Sequence, residues 1–342
     1  FIHIKQYQDT NRTPRPGHAS YASFAKYGPD DDAIGAGIFS GRYTSTIVGA
    51  GYIAKKILKS FGIEVFSFMK EAAGVECPDM DSKTIFEYTE RYKKMRHDMD
   101  PFYQELFVKG RLTPDMRFLQ KIAVLAEVEN EIDDIRGKAP KMSDEDIIAK
   151  YGVHPVVDCP DIEAGKAMLD ACNAITKTGD SSGGIVEVRV TGVPAGLGEP
   201  VFYKLDAELG RMLGIGAVKG VEVGAGFAVK DMTGFESNDQ MHSENGKVVF
   251  DSNHAGGITG GLTTGQDITV KLAVKPTPTI DKPQHTVDKY TLENTDLAAI
   301  TRRDPTIVGR IWPVAENYTA MVILDNLLAY LGYEQMKAKF NK

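Results

Sequence analysis

A chain of 342 residues with 42% hydrophobic and 25% charged side chains has globular proportions and can bury one large core or two. Its net charge of −7, spread along the chain, excludes a dedicated surface for nucleic-acid phosphates, so an anionic ligand must meet local arginines. Cys77, Cys159 and Cys172 form no CxxC pair, which excludes a disulfide framework and a zinc site, and the apolar run near Leu327 is broken by Asp325 and Asn326 before it could span a bilayer.

The front of the chain, to about Gly41, is rich in Gly, Pro, Asp and Tyr and reads as loops around short extended pieces. "TIVGAGYIAKKILKSF" then places apolar residues at helical spacing with Lys55, Lys56 and Lys59 on the solvent side, and Ile63 to Phe68 alternates like a strand. From about Glu71 to Pro160 the texture changes to charged helices, an inserted block at 70–160 within a single domain. In it, Thr113 is the expected N-cap and Pro114 the first helical residue of a helix with Phe118, Ile122, Leu125, Val128, Ile132 and Ile135 on one face. "SDED" at 143–146 opens another helix as a capping box, and Tyr92, Lys93, Lys94 and Arg96 read as a solvated face.

After Gly179 the chain turns β-rich. Val186, Val188 and Val190 alternate with Glu187, Arg189 and Thr191 in a half-buried strand, and Ile268, Val270, Leu272 and Val274 alternate with Thr269 and Lys271 in another. "VFYKLDAELGRMLG" reads as an amphipathic helix, "AVKGVEVGAGFAV" as a Gly-broken extended run, and Asn245-Gly246 as a hairpin turn. A last helix runs from about Pro313 to Leu331. Runs of strands followed by packed helices predict an α+β or layered sandwich fold rather than a doubly wound one.

Glycine clusters at 35–42, 179–184, 220–227 and 253–261 allow backbone amides to approach a ligand closely. "GAGIFSG" has the spacing GxGxxxG with no buried strand before it, which weighs against a dinucleotide fingerprint and a nicotinamide oxidoreductase; no GK[ST] closes a phosphate loop. His18 at a Pro-Gly turn, His254 in "SNHAGG", and Arg302, Arg303 and Asp304 before a proline are each as compatible with structural roles as with acid/base work.

The order of the pieces is more specific than any one of them. "RPGHA", "FSGRYT", "GDSSGG", "AVKGVEVGAGF", "SNHAGGITGG", "KPTPTI", "RRDP" and R-x-x-P-x-x-E follow one another in a set that resembles the chorismate synthase family over nearly all of the chain outside the helical block. The resemblance implies a β-α-β sandwich, a homotetramer and a cytoplasmic enzyme. It would remove phosphate from 5-enolpyruvylshikimate 3-phosphate by 1,4-anti elimination, using reduced FMN; whether NADPH serves as the reductant stays open. It assigns His18 to the flavin's pyrimidine edge and Asp304 to a base relay. Arg15, Ser40, Arg42 and Arg302 become substrate contacts. Phe39, Ser40, Gly216, Ala217, Gly260, Lys275, Pro276, Thr277, Pro278, Thr279 and Arg302 become flavin contacts.

Departures from the family pattern are Ser20, Ile38, Tyr43 and Arg303. The family's second catalytic histidine, in a GESHG stretch, has no counterpart after Phe1, and we expect the natural start and that histidine to lie upstream. A scaffold that keeps the fold without the chemistry is the alternative reading.

Overall fold

The computed structural model describes residues 12–30, 39–299 and 304–340. Two compact units emerge, one built from 1–77 with 167–342 and the other from 78–166.

The first unit begins with α1 (Ser20–Tyr27), where the sequence predicts only loops. This helix has no side-chain cap and buries only Ser23. It is held by the edge-on packing of Phe24 on Tyr290 at 5.0 Å and by the Lys289 ammonium 4.7 Å above the Phe24 ring. Helix α2 (Ser45–Lys59) follows a 3-10 turn over Gly41–Thr44 and leads into β1 (Glu64–Ala72), which hairpins onto β2 (Val75–Glu76).

The second unit holds α3 (Ser82–Met99), α4 (Phe118–Asn130), α5 (Ile132–Gly137) and α6 (Asp144–Tyr151). Asp81 caps α3 through the Thr84 amide at 2.9 Å, and Ser143 caps α6 through the Asp146 amide at 3.1 Å, the N-cap half of the box the sequence predicts, while the Asp146 carboxylate takes the Ser143 hydroxyl at 2.9 Å instead of its amide. Tyr92 is buried and stacked on Tyr88, so the expected solvated face is only partly one. The long helix expected from Thr113 starts instead at Phe118, where the Gln120 side chain takes the Arg117 amide at 2.8 Å, and it breaks at Glu131, whose carboxylate pairs with Arg111. Of its expected apolar face, Val128 and Ile135 are buried while Ile122 and Leu125 are about half exposed.

Helix α7 (Ile162–Lys177) leads into β3 (Gly184–Thr191). The short α8 (Leu205–Gly210) continues as a 3-10 turn, so the amphipathic helix expected there is only two turns long. Then come β4 (Val218–Val223), the hairpin β5 (Met241–Glu244) and β6 (Lys247–Phe250), and the small hairpin β7 (Ile258–Thr259) and β8 (Leu262–Thr263). The turn between β5 and β6 has positive φ at both Asn245 and Gly246, as a two-residue Asn-Gly turn requires. Strand β9 (Ile268–Val274), the hairpin β10 (Gln284–Val287) and β11 (Asn294–Leu297), and the long helix α9 (Val308–Phe340) complete the chain.

The main sheet is antiparallel in the order β2-β1-β3-β9-β4. Register places Ser67 beside Val188 and Val188 beside Val270, so Val186, Val188, Val190, Ile268, Val270, Leu272 and Val274 form one buried apolar face. Helix α9 packs on this face, where the Ser67 hydroxyl donates to the Trp312 carbonyl and to Glu316, each at 3.0 Å. The opposite face is less exposed than alternation predicts. Glu187 is buried and takes the Arg189 Nε–H at 2.7 Å, so β1 and β3 are covered on both sides. Helix α9 starts a turn before the expected Pro313, because Gly309 lies against Met69 and the proline removes only one amide donor near the helix start.

Candidate functional site

Strand β9 ends at Val274 and hands the chain to Lys275–Thr279, a loop with two prolines. Prolines fix φ and leave unpaired carbonyls and side chains to make the contacts. The Lys275 amide still belongs to the sheet side, donating to the Ala217 carbonyl at 3.0 Å. Beyond it, the loop meets three other segments.

The first is Arg15–Ser20. The His18 amide donates to the Arg15 carbonyl at 3.1 Å, closing a turn with Pro16 second and Gly17 third at a φ of 72°. That pattern demands glycine in third place. Gly17 sits against Pro278, its carbonyl accepts the Lys275 ammonium, and Arg15 Nη1 donates to Thr279 Oγ1 at 3.3 Å.

The second segment is Asp304–Pro305. Thr277 Oγ1 donates to the Asp304 carbonyl at 2.7 Å. The third is "GDSSGG". Ser181 donates its hydroxyl to the Thr277 carbonyl at 2.8 Å, and the Ser182 amide donates to the Pro305 carbonyl at 2.9 Å. A Cβ at Gly184 would collide with the backbone of Glu71 and Ala72, so this glycine serves strand approach rather than a phosphate.

Three predicted segments, distant in sequence, therefore meet at a fourth, the Lys275–Thr279 loop. His18 and Asp304 sit on turns joined by Lys275–Thr279.

The electrostatics at His18 are specific. Half-buried, with the Arg15 guanidinium and the Lys275 ammonium nearby, its imidazole is held down to about 4, burial being the largest cause. The Ser20 amide donates to Nδ1 at 3.2 Å, and Arg15 Nη2 lies 3.1 Å from Nε2 and 3.4 Å from Nδ1, so the one acceptor nitrogen of the neutral ring is shared by two donors. Ser20, which departs from the family pattern, braces the turn from the other side by accepting the Arg15 amide at 3.0 Å. Lys275 is itself lowered, by burial and then by Lys219. The site thus gathers positive charge around His18.

Asp304 presents a carboxylate whose two oxygens accept from the two terminal nitrogens of Arg310, at 2.9 and 3.1 Å. Arg310 stands in the R-x-x-P-x-x-E spacing but was not among the candidate site residues, because a partner six positions away across a proline gives no periodic signal. Glu316, last in that spacing, is buried and pairs with Lys55 of α2.

Other candidates lie elsewhere. Gly216 and Ala217 precede β4 next to Lys275, with open space beside Gly216. Phe39 and Ser40 lie at the entry to α2, and Arg42 belongs to the same turn. Gly260 turns the β7–β8 hairpin, whose hydrogen bonds run to the 194–205 segment rather than to the Lys275 loop. Ile38, Arg302 and Arg303 lie outside the described residues. His254 faces Asp239, which burial pushes up but the Ser252 hydroxyl and the Ala255 and His254 amides bring below the usual carboxylate range, a loop-bracing arrangement.

The chain is similar along most of its length to proteins of known family. The chorismate synthase family model matches residues 2–328. A chorismate synthase of Acetivibrio thermocellus is 37% identical over 342 aligned residues, covering 99% of this chain and 71% of that protein. One of Methanosarcina mazei is 39% identical over 323, covering 94% and 71%. A crystal structure of chorismate synthase shares the fold, with a TM-score of 0.59 at 24% identity, covering 94% of this chain and 75% of the other. With its ordered motifs gathered on one loop and this likeness along its length, the chain belongs to the chorismate synthase family.

Proposed function

We propose that this chain catalyses the chorismate synthase reaction, the 1,4-anti elimination of phosphate from 5-enolpyruvylshikimate 3-phosphate to chorismate, with reduced FMN. The observation that carries the reading is the Lys275–Thr279 loop, which bonds to the His18 turn through Lys275 and Arg15 and to Asp304 through Thr277.

The residues present fit a reduced flavin and a phosphorylated substrate. Arg15, Lys275 and Lys219 supply positive charge, Thr279 a hydroxyl, and the backbone by Gly216 has open space beside it. When bound, reduced FMN supplies electron density as the phosphate departs and takes it back. Arg15, Lys275 and Thr279, with Arg42 and Arg302, bind and orient the anionic groups. His18 would stand at the cofactor's edge, and an incoming anion would offset the cations that help keep the ring neutral, favouring its protonated form. Asp304 serves in the base relay, its carboxylate receiving the proton that the substrate's ring carbon gives up as phosphate leaves. Phe39, Ser40, Gly260, Pro276 and Pro278 complete the flavin contacts. We further assign the active form as a homotetramer in the cytoplasm.

The test is Asp304→Asn in the full-length protein, assayed without oxygen with reduced FMN. Turnover is expected to fall by at least about 100-fold, as for a lost general base, while FMN affinity stays within about threefold. Unchanged turnover would remove Asp304 from the reaction. The scaffold reading predicts no flavin affinity and no phosphate release from the unaltered protein.

A further inference from the structure

We propose that Arg310 is the positioning residue for Asp304, its guanidinium fork fixing the direction in which the carboxylate faces the reacting atoms. This rests on the role given to Asp304 above. The main chain of the Asp304 turn is held by the Thr277 hydroxyl on the Asp304 carbonyl and by the Ser182 amide on the Pro305 carbonyl. Neither contact limits the rotation of the Asp304 side chain. Among the described residues, its carboxylate oxygens accept hydrogen bonds from Arg310 alone, one oxygen from each terminal nitrogen, at 2.9 and 3.1 Å.

The fork stands on firm ground. Arg310 lies in the first turn of α9, whose next turns pack on the sheet through Trp312 and Glu316. Two parallel N–H···O bonds fix both the plane and the rotation of a carboxylate, which a point charge cannot do. They also occupy one lone pair on each oxygen, so the remaining lone pairs are directed away from α9. Stability does not explain the pair: the Arg310 side chain is 72% exposed and that of Asp304 45%, and exposed pairs contribute little. For a solvent-facing bidentate pair on a turn bonded to the same loop as the His18 turn, orientation is the better explanation.

The experiment compares Arg310→Gln, Arg310→Lys, Arg310→Ala, Asp304→Asn and the Arg310→Gln/Asp304→Asn double variant of the full-length protein, by steady-state kinetics without oxygen. Arg310→Gln is expected to lower kcat about 10- to 100-fold with KM within about threefold, and Arg310→Lys to fall between it and the unaltered protein. The double variant should be no slower than Asp304→Asn, because both changes remove one interaction. Millimolar guanidinium, but not ammonium, should restore Arg310→Ala several-fold, which a structural role would not produce. A raised KM with unchanged kcat would make Arg310 a substrate contact and overturn the proposal, as would additive losses in the double variant. If Asp304→Asn is slow and Arg310→Gln is not, the proposal fails and the reading of Asp304 stands; if Asp304→Asn is normal, both fall.

Discussion

His18 shows how a turn of ordinary composition becomes a tuned group. Pro16 and Gly17 bend the chain, Ser20 fixes one ring nitrogen, and burial with Arg15 and Lys275 disfavours the charged ring. A histidine whose folded pKa lies near 4 but which titrates near 6.5 when unfolded binds more protons in the unfolded state between those values. Stability therefore rises with pH through that window and is lost as pH falls through it. Replacing His18 with Gln should flatten that part of the profile, so that urea midpoints at pH 7 and pH 5 differ less in His18→Gln than in the unaltered protein. An equal fall in both would show that other groups carry the acid sensitivity. The sequence makes His18, Lys275 and Asp304 visible as candidates through motif order, but not the bonds joining them, since Gly17 and Lys275 lie 258 residues apart.

At the level of elements, period-two patterns were legible where one face alone decides burial. Strand β9 buries Ile268, Val270, Leu272 and Val274 as its alternation predicts, while β3 hides its charged face by pairing Glu187 with Arg189, a compensation alternation cannot reveal. Helix α1 was not legible because its support comes from Tyr290 and Lys289. The packing of α2 on α9 offers a sharper test. A methyl group on Gly51 would overlap the backbone and Cβ of Asn317, so the helices touch there without a side chain between them. Gly51→Ala should destabilise the protein by about 1–3 kcal/mol through overpacking, despite the ~1 kcal/mol gain in helix propensity. Chemical denaturation decides it: a stabilised variant would show that the two helices separate easily. Lys55 and the buried Glu316 add a charge pair to the same contact, and Lys55→Met should cost more than Glu316→Leu, because it takes the cation from the more deeply buried carboxylate, whereas without Glu316 the Ser67 hydroxyl keeps the Trp312 carbonyl.

For the molecule as a whole, mixed sheet and helix was readable from the β-rich second half, and the fold is that of a solved chorismate synthase. The assembly is a matter of exposed surface. Phe202, Phe227 and Phe235 are each more than 70% exposed in the single chain, which is unusual for side chains of that size. The homotetramer assigned above predicts a solution mass about four times the 37.4 kDa of the chain by light scattering, and charged substitutions at these phenylalanines should lower it. A monomer at micromolar concentration would refute that assignment.

The sharing of one short loop by several remote partners sets a length constraint. Lys275, Thr277, Pro278 and Thr279 each engage a different atom, at spacings set by a single extended stretch leaving β9. One inserted residue would displace every attachment downstream of it by about 3.3 Å, more than a hydrogen bond tolerates. The tip at Asn245-Gly246, by contrast, can grow without disturbing anything but itself. The connection after β9 therefore has little freedom to change length over evolutionary time.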